Sequence, residues 1–260
     1  MKIGIDEAGR GPVIGPMVIC AFSVLDKKLE EMSELFSKLN IKDSKKLTPE
    51  KREKIFQEFL KLKNTNDIDF ETIIIPPNEI DSAVESKTMN LNKLEIIKNV
   101  ELILRILQKY NELNEEVNIY IDCPSNNIRS FIQEFFYFFN QDYSIISEKK
   151  DEITITLNLQ KKINIFFAHK ADEKYKIVSA ASIVAKVMRD NIIEEIKKSI
   201  NFDFGSGYPA DERTIDFLEK NYNKYDFFRK SWDSWKRVNN KNKNNEENNN
   251  KQSNLKKFIN

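Results

Sequence analysis

The chain has 260 residues, 32% of them charged and 40% hydrophobic, with a formal net charge of +1, which is enough for one sizeable core plus appendages. No apolar run is long enough to span a bilayer and no signal-peptide pattern precedes Ile3, so a cytosolic protein is expected. The two cysteines, Cys20 and Cys123, lie in apolar strand-like stretches and point away from a disulfide framework.

In chain order, the first element is a short apolar strand through Ile3 and Ile5 that runs into adjacent carboxylates, Asp6 and Glu7, and then into Gly9-Arg10-Gly11-Pro12. Side chains alternate faces along a strand, so both acids serve one site only if the strand ends or bends between them, which Gly9 and Gly11 permit. The glycines also let the backbone approach a ligand, and Arg10 between them suits a phosphate or sugar-phosphate edge. Taken alone, such a pair reads as a solvated acidic turn.

Residues 17–25 read as a buried second strand antiparallel to the first, and residues 30–39 as a short amphipathic helix. Asp43-Ser44-Lys45-Lys46-Leu47 is a polar loop. Thr48 then caps a helix with Pro49 at its first position. Residues 70–75 form a β-branched strand closed by Pro76-Pro77, and residues 90–113 a long helix with apolar residues at helical spacing. A strand over residues 117–121 delivers Asp122 at its end. A helix carrying Ile128, Phe131, Ile132 and Phe135 follows, then strands over 153–157 and 163–167. This alternation predicts an α/β layer fold around a mixed sheet.

Residues 176–200 predict a buried helix, apolar nearly all round, yet Ser182, Lys186 and Arg189 form a polar stripe on one face. Buried cations need acidic partners or a phosphate. Gly205-Ser206-Gly207-Tyr208-Pro209 is a sharp turn presenting an aromatic ring, which could equally be a core aromatic. Helices run on to Trp235. The Asn- and Lys-rich stretch from residue 239 predicts a disordered tail. From Lys236 onward seven Lys and Arg oppose two Glu, a local +5 that leaves the remainder at −4. A mildly acidic body is not a generic nucleic-acid sponge.

Asp6, Glu7, Asp122 and Asp172 stand at strand ends or in loops adjoining the sheet. Clustered carboxylates repel one another unless they are protonated or hold divalent cations, and oxygen-only ligands select Mg²⁺ or Mn²⁺ over zinc. A pair of ions held this way is the standard device for in-line displacement at phosphorus. The single histidine, His169, makes a Ser-His-Asp triad improbable and is expected to cap a strand.

Together, Asp6-Glu7-Ala8-Gly9-Arg10-Gly11-Pro12, Asp43-Ser44-Lys45-Lys46-Leu47, Asp122, Lys170-Ala171-Asp172, residues 179–186 with Arg189-Asp190, and Gly205-Ser206-Gly207-Tyr208-Pro209 resemble ribonuclease HII, the archaeal branch most closely. The likeness runs from Met1 to about Trp235. It implies an RNase H-like catalytic domain over 1–200, a C-terminal helical subdomain over 201–238 completing the substrate groove, and a tail over 239–260. The implied activity is metal-dependent endonucleolytic cleavage of the RNA strand of RNA–DNA hybrids, and cutting 5′ to single ribonucleotides embedded in duplex DNA. The resemblance makes Asp6, Glu7, Asp122 and Asp172 the ligands of two Mg²⁺ or Mn²⁺ ions. It gives Gly9, Arg10 and Gly11 the ribose 2′-OH, Tyr208 the sugar just 3′ of the ribonucleotide, and Lys45, Lys186 and Arg189, with Ser182 beside them, the strand's backbone. A monomer is expected. Ribonuclease HIII-like specificity is the runner-up, disfavoured because no extra domain precedes the first strand. A non-catalytic hybrid-binding or repair scaffold is the other alternative, and the four intact carboxylates count against it.

In the tail, Gln252, Leu255, Phe258 and Ile259 resemble a sliding-clamp-binding peptide. Leu255, Phe258 and Ile259 sit at i, i+3 and i+4, so one helical turn gathers them into a single apolar plug. They are the only large apolar residues after Val238.

Overall fold

A computed structural model describes residues 1–41, 47–112, 115–158 and 161–244. Seven strands form one sheet: β1 (Lys2–Ala8), β2 (Met17–Val24), β3 (Ile68–Ile75), β4 (Val117–Asp122), β5 (Ser144–Lys149), β6 (Glu152–Asn158) and β7 (Lys162–Ala168). Their spatial order is β3-β2-β1-β4-β7-β6-β5. The middle three, β1, β4 and β7, run parallel, with antiparallel hairpins on either side. This is the predicted mixed sheet, and its parallel centre gives one edge where three strands end together.

Helices cover both faces. One carries α3 (Pro77–Glu85), α4 (Leu91–Lys109) and α5 (Ile128–Phe139), whose apolar residues pack on Ile3, Ile5, Ile119 and Ile121. The other carries α1 (Leu29–Lys38), α2 (Pro49–Asn64) and α7 (Lys176–Ile200), packed on Val18, Cys20 and Phe22. A one-turn helix, α6 (Ala171–Lys174), links β7 to α7. Caps set the boundaries: Thr48 accepts a hydrogen bond from the Lys51 N–H with Pro49 at the first helical position, and Asn90 accepts from the Lys93 N–H at 2.9 Å. Asn201, in the left-handed region at φ 50°, ends α7. Gly4 has a particular use. A Cβ there would lie 2.4 Å from the Ile177 backbone, so only glycine lets α7 settle onto β1. Both cysteines are free and buried.

A third cluster holds the C-terminal part. Phe204, Phe217, Leu218, Phe228 and Val238 pack around Val13 and Ile14 from the start of the chain, with α8 (Glu212–Asn221) contributing Phe217 and Leu218.

Several features depart from the sequence expectations. Pro76-Pro77 does not merely close β3, because Pro77 opens α3. β5 is an added edge strand exposed along its whole length, so no burial pattern announces it. The chain is helical over 233–244, past residue 238 where the tail was placed. The loop carrying Lys45 and the peptide from Gln252 to Ile259 lie outside the described residues. Finally, β1 does not end or bend between Asp6 and Glu7. It stays paired with β2 through Ala8, while its pairing with β4 stops at Ile5↔Ile121. Asp6 therefore faces α7 and Glu7 faces α4, and both reach the site because β1 outruns β4 at the sheet edge.

Candidate active site

Parallel strands bring the acids together. Asp6 and Glu7 come from β1, Asp122 is the last residue of β4, and Asp172 sits in α6 just beyond β7. The Asp122 Oδ1 accepts the Ala171 N–H at 2.6 Å, which ties the end of β4 to α6. The Asp6 Oδ1 accepts the Glu7 N–H at 2.8 Å, and the Ser182 side chain of α7 hydrogen-bonds to Asp6. Asp6 and Asp172 are buried.

Charge is the dominant property of this cluster. Burial, the neighbouring Asp122 and then Asp172 push the Asp6 carboxyl up to about 8, against the opposing hydrogen bond from Ser182. Glu7 is held well above the usual carboxylate range by burial, then by Glu95, Asp6 and Asp122. Glu95 of α4 is a fifth acid that the sequence reading missed. Burial, with Asp122 adding, raises it to about 7 even though Arg10 pairs with it. The Arg10 guanidinium lies between Glu95 and Asn92, whose Oδ1 is 2.6 Å from Nη2. Arg10 is thus engaged by α4 and does not stand free at a phosphate edge.

Among the described residues, no three acidic, histidine or cysteine side chains are already gathered into metal-binding geometry. The chemistry of the donor set nevertheless fits divalent cations. It is all oxygen, buried or half-buried and mutually repulsive, and the raised Asp6 and Glu7 carboxyls reflect a repulsion that a dication would offset.

Alongside the acids runs a cleft of about 220 Å³ lined by Glu7, Gly9, Arg10, Gly11, Ser182, Lys186, Arg189 and Tyr208, among others. The structure therefore brings together eight residues singled out in the sequence. Gly9 adopts φ +88°, and a Cβ there would lie 2.4 Å from the Arg189 side chain. Tyr208 is 37% exposed, so it is not a core aromatic. Its ring stands 5.4 Å from the Arg189 guanidinium, a cation–π pair. Arg189 is buried, with burial lowering its pKa, and the partners of its two Nη atoms lie away from the acidic cluster. Its Nη2 donates to the Ile14 carbonyl at 3.3 Å, and Asp190 lies 3.9 Å from its Nη1. His169 lies behind the site, its Nδ1 3.1 Å from the Cys123 carbonyl oxygen.

Arg229 was also missed. It is fully buried, and its guanidinium donates to the carbonyls of Gly9, Arg10 and Gly15 at 2.6, 3.0 and 3.0 Å. Burial, with Arg189 nearby, brings it down to about 9. The pair Arg229-Lys230 in an aromatic stretch carries no pattern that would announce this in the sequence.

A mixed sheet whose parallel strands end in buried carboxylates, flanked by helices, is the architecture of the ribonuclease H-like nucleases. The comparisons narrow the class. The family model for ribonuclease HII matches residues 3–235. Ribonuclease HII of Methanocaldococcus jannaschii is 41% identical over 245 residues, covering 93% of this chain and 96% of that one. The crystal structure of ribonuclease H2 from Pyrococcus horikoshii superposes with a TM-score of 0.68 at 32% identity, covering 92% of this chain and 97% of that one. The ribonuclease HII in a complex with PCNA from Archaeoglobus fulgidus does so with a TM-score of 0.63 at 31% identity, over 85% and 86% of the two chains. The chain belongs to the ribonuclease HII family and is a ribonuclease H enzyme, a metal-dependent endonuclease. No helix among the described residues is long and apolar enough to cross a membrane.

Proposed function

We propose that this enzyme hydrolyses the RNA strand of RNA–DNA hybrids and cuts 5′ to single ribonucleotides in duplex DNA, leaving a 3′-hydroxyl and a 5′-phosphate. The observation that carries this reading is the continuity of the acidic cluster with the cleft of the Gly9–Gly11 turn and Tyr208. Asp6, Glu7, Asp122 and Asp172 would hold two divalent ions, Mg²⁺ or Mn²⁺. When bound, such ions lower the pKa of the attacking water and neutralise charge on the leaving 3′-oxygen. Water's oxygen bonds to phosphorus as the P–O3′ bond breaks, and the leaving oxygen takes up a proton.

The chain's own groups position the strand. The 9–11 turn faces the 2′-oxygen, which separates RNA from DNA. Tyr208, steadied on Arg189, packs against the sugar just 3′ of the ribonucleotide, where an additional 2′-OH would crowd the ring. Lys186 sits in the same cleft for a backbone phosphate, and Lys45 is assigned the same task. The test is a labelled duplex with one ribonucleotide, incubated with and without Mg²⁺ beside an all-DNA duplex, with the product ends mapped. A cut 5′ to the ribonucleotide only with metal is expected. Cleavage of the all-DNA duplex, or 2′,3′-cyclic ends, would overturn the reading.

We further propose that Gln252, Leu255, Phe258 and Ile259 dock on a sliding clamp, which would raise the enzyme's local concentration on newly replicated DNA. The related Archaeoglobus fulgidus enzyme has been solved in a PCNA complex, which supports such a partner. Calorimetry of the full chain and of a chain ending at residue 244 against the cognate clamp decides it. Clamp binding that survives the truncation, or is absent from the full chain, refutes it.

A further inference from the structure

The turn that carries Gly9, Arg10 and Gly11 is held from behind by one segment near the C-terminus. The Phe227 carbonyl accepts the Gly15 N–H at 2.9 Å, and the Arg229 N–H donates to the Val13 carbonyl at 2.8 Å. The Arg229 guanidinium takes the carbonyls of Gly9, Arg10 and Gly15. The Trp232 Nε1–H donates to the Gly11 carbonyl at 3.0 Å, and its ring lies 4.9 Å from the Arg229 guanidinium. The segment is itself anchored, because the Asp81 carboxylate of α3 accepts the Lys230 and Ser231 N–H groups at 2.8 and 2.9 Å. Three consecutive turn carbonyls are therefore drawn into the protein by two side chains.

Peptide groups are planar, and none here is cis. A carbonyl fixed inward forces the next N–H to point the other way. Pinning the Gly9 carbonyl turns the Arg10 N–H outward, and pinning the Arg10 carbonyl does the same for the Gly11 N–H. No acceptor among the described residues takes either N–H. Both residues line the cleft, and Gly11 lies under the Tyr208 ring, where a Cβ would be 3.6 Å from its Cε1. Two buried guanidinium groups adjoin the turn, Arg229 behind it and Arg189 beside it in the cleft, so its open side favours an electron-rich oxygen.

We propose that Arg229 and Trp232 are positioning residues for sugar discrimination: Arg229 fixes the Arg10 and Gly11 N–H groups as a donor pair aimed at a ribose 2′-oxygen, and Trp232 holds the far side of Gly11, where Pro12 has no N–H of its own to aim. Neither side chain need touch the nucleic acid. The inference rests on the reading of the turn as the ribose reader.

The test is the ratio of affinities for a duplex with one ribonucleotide and the same duplex as all DNA. It is measured with Ca²⁺ in place of Mg²⁺ so that nothing is cut. Arg229→Lys keeps the charge but cannot fork to three carbonyls, and Trp232→Phe keeps the ring but loses the bond to Gly11. Loss of folded protein lowers both affinities equally and leaves the ratio unchanged. Loss of aim lowers the ratio, by about three- to tenfold for Arg229→Lys and less for Trp232→Phe, the scale of one hydrogen bond. Should Arg229→Lys fail to fold, Trp232→Phe decides alone. Variants shown to be folded that keep the wild-type ratio overturn the proposal, and where both affinities of such a folded variant fall equally the donors hold phosphate instead. A wild-type enzyme with no preference for the ribonucleotide would instead sink the ribose reading itself.

Discussion

In the metal-free protein at alkaline pH, Asp6 is a destabilising charge, and Asp6→Asn should remove it. Burial and the nearby Asp122 and Asp172 raise the Asp6 carboxyl from 3.8 to about 8. Between about pH 4 and pH 8 the native protein therefore keeps a proton that the unfolded chain has released, so stability falls as pH rises through that window. At about 1.4 kcal/mol per pH unit, the Asp6 contribution lost between about pH 5 and pH 8.5 is roughly 4 kcal/mol. Urea unfolding in a chelator at those two pH values, followed by circular dichroism, should show wild type losing stability and Asp6→Asn losing less. The residual slope of the variant belongs to Glu7 and Glu95, whose raised values have the same sign. Added Mg²⁺ should reverse the order at pH 8.5, because the cation stabilises the wild-type cluster and the variant lacks a ligand. In Mg²⁺ the same variant should lose cleavage while binding hybrid as well as wild type or better. Wild-type stability that is flat or rising between the two pH values, or an equal slope in the variant, would refute the electrostatic account.

Tyr208→Ala should impair cutting at an isolated ribonucleotide more than inside a long RNA stretch, since only the former presents a deoxyribose to the ring; steady-state rates on both substrates check this. Glu95→Gln should raise the Mg²⁺ concentration for half-maximal thermal stabilisation by about a few-fold, the scale of a 1 kcal/mol interaction, because it removes a charge beside Glu7 and Asp122. Gly4→Ala should lower the unfolding free energy by about 3 kcal/mol or more, read by urea titration, because its Cβ would meet the Ile177 backbone at 2.4 Å and neither strand nor helix can yield cheaply.

The elements that local sequence specifies are those found in the structure. The β-branched runs of β1, β2, β4 and β7, the Thr48-Pro49 cap of α2 and the apolar length of α7 each carry their own signal, and each element lies where that signal puts it. The departures occur where no local signal exists. β5 is exposed on both faces, so neither alternation nor an apolar run marks it. Pro76-Pro77 ends a strand and starts a helix with the same residues, since a proline at the first helical position looks in sequence like a breaker. The behaviour of β1 depended on a neighbour: whether Asp6 and Glu7 share a site is decided by how far β4 runs beside them, which is a matter of register.

The same distinction divides the site. Strand-end carboxylates and glycine turns are legible because their residue types are costly or unusual where they stand, and the cleft brings Glu7 and the Gly9–Gly11 turn together with Ser182, Lys186, Arg189 and Tyr208 from far along the chain. Glu95 and Arg229 are invisible for the opposite reason. Each is an ordinary charged residue in an ordinary stretch, and only burial makes it exceptional. Burial is set by distant partners: Arg10 for Glu95, and the carbonyls of a turn some 220 residues away for Arg229. An isolated guanidinium would not enter the interior for nothing, because its desolvation must be offset by hydrogen bonds of good geometry. Here the offset comes from main-chain oxygens of the very turn that borders the acids. Among the described residues Arg229 is the most deeply buried cation, and it lies against the backbone of the cleft, where its charge holds peptide groups in a fixed orientation.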